Sequence, residues 1–262
     1  MQCGLTYKRD MSVIERAEDG ASGSIGVPRR LLAPLAASDR LIDPAFAGIA
    51  IAAAAFGLLF AAVKRDRTRA LDLAMTIRVQ GRRSAPLRLA MRAASWPGFP
   101  PQSRIIPPAV IVAWLAAGRP RAALFQLLAW GGALLSTIVK SAVRRPRPLP
   151  PQVEVIVAPL GGTSFPSGHV LTYSTFYGFL AYLLARSVPR TRPRRAAVTA
   201  LAGLIALVGP SRVQQGHHWT TDVVASYLLG LAYLLGLAWL YRATGAPRRH
   251  DGSGLHRRES SA

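Results

Sequence analysis

The run from residue 44 to residue 63 holds no charged side chain and is built chiefly from Ala, Ile, Leu, Phe and Gly. As a helix it extends about 30 Å, the thickness of a bilayer's hydrocarbon core. Such a run has no polar face to turn toward water, so a small soluble fold cannot accommodate it easily. Apolar blocks recur at 105–117, 122–139, from 166 to about 185, at 196–210, and between 219 and about 241. Half of the 262 residues are hydrophobic, and they are gathered into these blocks rather than spread in amphipathic patterns. The expected architecture is therefore all-α: a polytopic membrane protein with six transmembrane helices.

The segments between the blocks complete the expected layout. Residues 1–43 read as a basic, disordered tail, with breakers at Pro28 and Pro34 and no apolar core ahead of a small-residue cleavage site. A membrane domain is expected over 44–242, and a second polar, basic tail over 243–262. Between the first and second spans, residues 68–103 mix Leu71, Leu73, Ile77, Leu87 and Leu89 with Arg78, Arg82, Arg88 and Arg92. Two short amphipathic helices lying on the lipid headgroups, split near Gly81, suit that pattern. Trp96-Pro-Gly-Phe-Pro-Pro101 follows as an interfacial aromatic pair. Block 105–117 is short for a span, so it must borrow residues from its flanks or sit in a thin region of the bilayer. The 141–163 loop is Pro-rich and so rigid.

The net charge of +21 admits nucleic acid, anionic lipid or an acidic substrate as partner. Nucleic acid fits worst, because the arginines lie between apolar blocks rather than along one soluble face. Cys3 is the single cysteine, so no intrachain disulfide forms. Six spans put both termini on one side. The basic residues divide almost evenly between the two sides, with a slight excess favouring cytoplasmic termini.

Chemistry concentrates in Ser211-Arg-Val-Gln-Gln-Gly-His-His-Trp-Thr-Thr-Asp222. A helix beginning near Trp219 brings His218 and Asp222, four residues apart, onto one face. A His oriented by a carboxylate is a nucleophile or base held in one tautomer. Arg212 is a planar cation suited to bidentate phosphate binding. There are two more polar stretches: Lys140 to Arg147-Pro148 follows the third span, and Pro166-Ser-Gly-His169 opens the fourth. Under the six-span topology all three reach the same membrane surface and can share a pocket. The pair at 218 and 222 could also be two metal ligands, but no third ligand pattern accompanies them, and three nearby cations would repel a metal. His217 is a rival nucleophile that the same spacing pairs with Thr221. Arg144 and Arg145 read as headgroup-facing charges, and Trp219, Trp239 and Tyr241 as interfacial or packing aromatics.

In chain order and spacing, these three stretches resemble the three-part signature of the type 2 phosphatidic acid phosphatase superfamily. The resemblance covers Lys140 to Asp222 directly. It implies a metal-independent lipid phosphate or pyrophosphate phosphatase that needs no cofactor. His218 would attack phosphorus, Asp222 would hold its tautomer, and His169 would protonate the leaving group and then activate water. Lys140, Arg147 and Arg212 would bind the phosphate oxygens, with Ser167 and the Gly168 amide as further donors. Implied substrates are a polyprenyl (undecaprenyl or decaprenyl) pyrophosphate, phosphatidic acid or phosphatidylglycerol phosphate. The implied location is a bacterial cell membrane, with the site facing outward and both termini cytoplasmic. Gln214 stands where family members often carry an aromatic residue, which is expected to alter the pocket rim. Competing expectations are phosphotransfer to an alcohol, vanadate-dependent halide oxidation, and non-catalytic anionic-lipid binding; the last has no need of a His–Asp pair.

Overall fold

A computed structural model describes residues 43–245, apart from 82–83 and 157–160. The two expected tails fall almost entirely outside these residues. Helices α1 (Pro44–Lys64), α2 (Arg69–Gln80) and α3 (Ala85–Ser95) come first, and a single 3₁₀ turn (Trp96–Gly98) leads into α4 (Gln102–Ala116). Helices α5 (Pro120–Trp130) and α6 (Gly132–Val143) run on as one long rod. Helix α7 (Gly168–Thr172) passes through a π-helical turn (Tyr173–Tyr177) into α8 (Gly178–Ser187). The chain closes with α9 (Arg192–Gln214) and α10 (Thr220–Ala243). The described residues contain no strand.

Four of these rods are long and apolar enough to cross a membrane: α1, α5 with α6, α9 and α10. The short second block lies in α4, which begins at Gln102 rather than at 105 and is 15 residues long. Leu58 is 75% exposed and Leu134 65%, on helices whose faces are otherwise apolar. In water that much bare hydrocarbon would drive association; in lipid it is the ordinary outer surface.

Inside, α10 packs along α1, α9 lies against α3 and α8, and α4 lies against α5. Phe125, Phe179, Leu183 and Leu237 fill the core at one end. Val170, Phe176, Val208, Val213 and Val223 fill it beneath the site. The π-helical turn has a local cause. The hydroxyls of Ser174 and Thr175 donate to the carbonyls of Val170 (2.9 Å) and Leu171 (3.0 Å) and compete with the backbone ladder. Gly132 lets α6 approach that turn, because a Cβ at 132 would overlap the Thr175 hydroxyl.

One expectation is corrected here. Pro210 does not end α9, which runs on to Gln214 and so carries Arg212 on its last turn instead of in a loop. Proline removes the N–H that would bond to Ala206, and the Tyr227 hydroxyl takes over. It donates to the carbonyls of Ile205 (2.6 Å) and Ala206 (3.3 Å) and accepts the Gly209 N–H at 3.0 Å. Helices α2 and α3 break at Gly81 as expected, yet they bury Asp72, Thr76, Met91, Ala94 and Ser95 against the bundle. Their polar content faces partly inward, toward the N-terminus of α10.

Candidate active site

The C-terminal ends of α6 and α9 and the N-terminal ends of α7 and α10 meet at one end of the bundle. Lys140, Arg147, His169, Arg212, His218 and Asp222 come together there. The turn between α9 and α10 is pinned by Gly216, whose φ of +71° is left-handed and whose Cβ position is occupied by the backbone of Val155 and Glu154. Helix α10 then starts on Asp222, whose Oδ2 accepts the Trp219 N–H at 2.9 Å. This anchor sets the carboxylate beside the ring of His218, with Nδ1 and Oδ2 3.6 Å apart.

The nearest partner of His218 is a different one. Its Nδ1 lies 2.7 Å from the carbonyl oxygen of Ser164. A carbonyl only accepts, so Nδ1 carries the proton and Nε2 of the neutral ring keeps its lone pair. That lone pair faces Arg147, whose Nη1 is 3.4 Å away. Burial pushes the His218 pKa down to about 4; Asp222 opposes this shift, while Arg147 and Lys140 add to it. The ring is therefore neutral at neutral pH.

The cations converge on the same point. Arg147 is held by the carbonyls of His217 (2.7 Å) and Gly161 (3.3 Å), and Lys140 Nζ by that of Thr163 (2.9 Å). Arg212 is wholly buried. Its Nη2 donates to Gln215 Oε1, and its guanidinium lies 4.9 Å over the Phe99 ring. Among the described residues its Nε and Nη1 have no hydrogen-bond partner, nor do Ser167 Oγ and His169 Nε2. Unpaired buried donors are costly unless an anion meets them. The Ser167 amide is already taken by Ser226 Oγ at 2.8 Å, while a Cβ on Gly168 would come within 3.4 Å of Ser136 Oγ.

His169 stands within electrostatic reach of Arg212, His218, His217 and Arg147. Phe99 packs edge-on against it at 4.9 Å, and a Cβ at residue 98 would overlap its Cδ2 and lie 2.7 Å from Nε2. The stretch read as an interfacial aromatic pair thus forms one wall of the site. A cavity of about 320 Å³ opens from His169, Lys140, Ser136 and Gly168 toward Trp130, Pro107, Phe176 and Tyr177. A second, of about 590 Å³, borders Arg147 and Trp219 from the other side, with Lys64, Arg69 and Arg144 on its wall.

Several residues behave differently from their reading in sequence. Arg145 is buried instead of facing headgroups, and it joins Asp222 to Asp72 of α2. Burial disfavours its charge, but the two carboxylates outweigh that and raise its pKa. Thr221 bonds to Asp72 and Arg145, not to His217. Both ring nitrogens of His217 lack hydrogen-bond partners among the described residues, and burial with Arg212 nearby lowers its pKa to about 3. Gln214 is buried instead of lining a rim. Among the described residues, no group of three His, Cys, Asp or Glu side chains is arranged to hold a metal ion.

Residues 121–246 match a known family model, described as the PAP2 superfamily. Phosphatidylglycerophosphatase B of Bacillus subtilis is 38% identical over 113 residues, which are 41% of this chain and 52% of that protein. The aligned part thus spans about half the length of that relative. A crystal structure of a transmembrane PAP2-type phosphatidylglycerolphosphate phosphatase from Bacillus subtilis superposes with a TM-score of 0.66 at 25% identity, covering 76% of this chain and 98% of the other. That of Aquifex aeolicus LpxE gives 0.50 at 21% identity, over 65% and 94%, and speaks for the fold alone. With four rods of spanning length and this transmembrane structural relative, the chain is an integral membrane protein.

Proposed function

We propose that this protein is a metal-independent phosphatase of membrane lipid phosphates that works through a phosphohistidine at His218. The observation that carries the reading is the 2.7 Å contact from His218 Nδ1 to the Ser164 carbonyl, which leaves Nε2 as a free nucleophile pointed at Arg147. In the first step Nε2 attacks phosphorus, the bond from phosphorus to the lipid oxygen breaks, and His169 supplies the proton to that oxygen. Asp222 stabilises the positive ring that results. In the second step His169 takes a proton from water, whose oxygen attacks phosphorus and releases orthophosphate and neutral His218. Lys140, Arg147 and Arg212 bear on the non-bridging oxygens and, with Ser167 and the Gly168 amide, offset the charge of the five-coordinate phosphorus.

The cavity beside His169 supports a lipid substrate. Its polar end holds Lys140 and His169, and its far end is lined by Trp130, Pro107, Phe176 and Tyr177. The leaving oxygen departs opposite His218, so the chain attached to it runs into that apolar end and on to the bilayer. Six spans follow if α4 and the α7–α8 rod cross along with the four longer ones. Both termini then lie in the cytoplasm of a bacterial cell, and the site faces outward. Phosphatidylglycerol phosphate is the first substrate to try, given the activity named for the Bacillus relative, followed by phosphatidic acid and a polyprenyl pyrophosphate. The test is orthophosphate release from these lipids by the purified protein in detergent with EDTA. Release that His218→Ala abolishes is expected. No release from any of them, or release that survives H218A, contradicts the proposal.

A further inference from the structure

The family signature leaves α2 without a task, yet the most densely bonded polar group near the site reaches it. Arg145 Nη1 donates to Asp222 Oδ1 (2.7 Å) and Thr221 Oγ1 (2.8 Å). Its Nη2 donates to Asp72 Oδ2 (2.6 Å) and Thr68 Oγ1 (3.0 Å). Asp72 in turn accepts the Thr221 N–H and the Thr221 hydroxyl, both at 2.8 Å. Neither carboxylate has any exposed surface. Two buried anions therefore share one guanidinium, about 70 residues away in sequence from each.

We infer that Asp72 and Arg145 are positioning residues that set how much negative charge Asp222 presents to His218. The inference rests on His218 being the nucleophile. Charge counting makes the argument. Arg145 paired with Asp222 alone would form a neutral unit, with little left to stabilise a cationic ring. Asp72 takes half of the guanidinium's fork, so the three groups together carry one net negative charge. The positive ring of phosphorylated His218 brings the sum to zero, inside a region where uncompensated charge is costly. The geometry serves the same end. Arg145 holds Oδ1 of Asp222 and the Trp219 amide holds Oδ2, so the carboxylate cannot rotate away from the ring. Helix α2 is thereby an electrostatic part of the site, which accounts for an acidic residue on a helix otherwise rich in arginine.

A purely structural role makes a different prediction, since Asp72 also ties α2 to the first turn of α10. The two are separated by comparing Asp72→Asn, the double variant Asp72→Asn/Arg145→Gln, and Thr68→Val, each with phosphatidylglycerol phosphate or whichever lipid the wild type hydrolyses. D72N neutralises the unit. It is expected to lower kcat roughly tenfold or more with KM within about twofold, because one buried charge near the reacting ring changes while the phosphate cations do not. D72N/R145Q restores one net negative charge on Asp222 and is expected to recover kcat relative to D72N. T68V removes one bond to Arg145 but no charge, and is expected to keep kcat within about threefold. A double variant worse than D72N, or a T68V loss as large as that of D72N, overturns the inference in favour of a simple tether. So does a D72N enzyme with wild-type kcat. In each of these outcomes H218A remains inactive; if it does not, the phosphohistidine reading fails instead.

Discussion

His218 Nδ1 is closer to the carbonyl oxygen of Ser164, at 2.7 Å, than to the carboxylate of Asp222, at 3.6 Å. The backbone contact therefore fixes the tautomer without the carboxylate. The loop that supplies the carbonyl is itself tied down: the Ser164 N–H bonds to the Arg145 carbonyl at 2.8 Å, and its hydroxyl to that of Pro146 at 3.1 Å.

Asp222→Asn should consequently be less damaging than loss of the ring. In a triad where the carboxylate alone sets the tautomer, the same change costs about 10⁴ in rate. Here D222N is expected to retain at least about tenfold more kcat than H218A, because Nδ1 keeps its proton on Ser164. Single-turnover rates of the two variants check this.

Arg212 offers a trade between stability and function. It is wholly buried, and its Nε and Nη1 have no hydrogen-bond partner among the described residues. Replacing it by Met removes an uncompensated buried cation and is expected to raise the melting temperature, while activity falls by about 10² or more. Orthophosphate or vanadate should raise the melting temperature of the wild type by binding the folded state, and should raise that of R212M much less. Thermal unfolding in detergent, with and without the anion, reads both effects.

Gly98→Ala tests the wall of the site without touching a charge. The added Cβ would overlap His169 Cδ2, so the ring must move. Losing the alignment of the proton donor is expected to lower kcat tenfold or more, since general acid–base catalysis contributes about 10²–10⁴. The effect should be small for a substrate whose leaving group needs no proton, such as p-nitrophenyl phosphate. Comparing the two substrates checks it.

The pH dependence of stability has a definite sign. His217 and His218 have folded pKa values of about 3 and about 4, below the ordinary value near 6.5. Between those limits the unfolded chain binds more protons than the folded one, so stability rises with pH there and is lost as pH falls from about 6.5 toward 4. His217→Gln removes one of the two groups and is expected to flatten the fall in melting temperature over that interval. Above about pH 5 the nucleophile is already neutral, so any acid limb of the rate in that range belongs to other groups or to the substrate phosphate.

Much of this was legible in the chain. The uncharged run at 44–63 marks α1 because length and lack of charge decide a span without reference to partners. His218, Asp222 and Arg212 stand out because charge beside an apolar block is costly. What sequence hides is whatever depends on a distant partner. Arg145 looks like any interfacial arginine until Asp72 is seen against it. The continuation of α9 through Pro210 rests on the Tyr227 hydroxyl of the next helix, and no local pattern predicts it. The Ser164 carbonyl has no sequence signal at all, since every residue carries one. Gly98 and Phe99 read as interfacial because their partner, His169, lies about 70 residues away.

The most direct test is to trap the intermediate. The purified protein is mixed with a lipid phosphate labelled at the scissile phosphorus and quenched in alkali within milliseconds, and its peptides are examined by mass spectrometry. A phosphoryl group on residue 218, stable to base, labile to acid and lost in H218A, is the expected result. Turnover with no phosphorylated peptide, or with label on His169 or His217, would contradict the assignment of His218 as the attacking group.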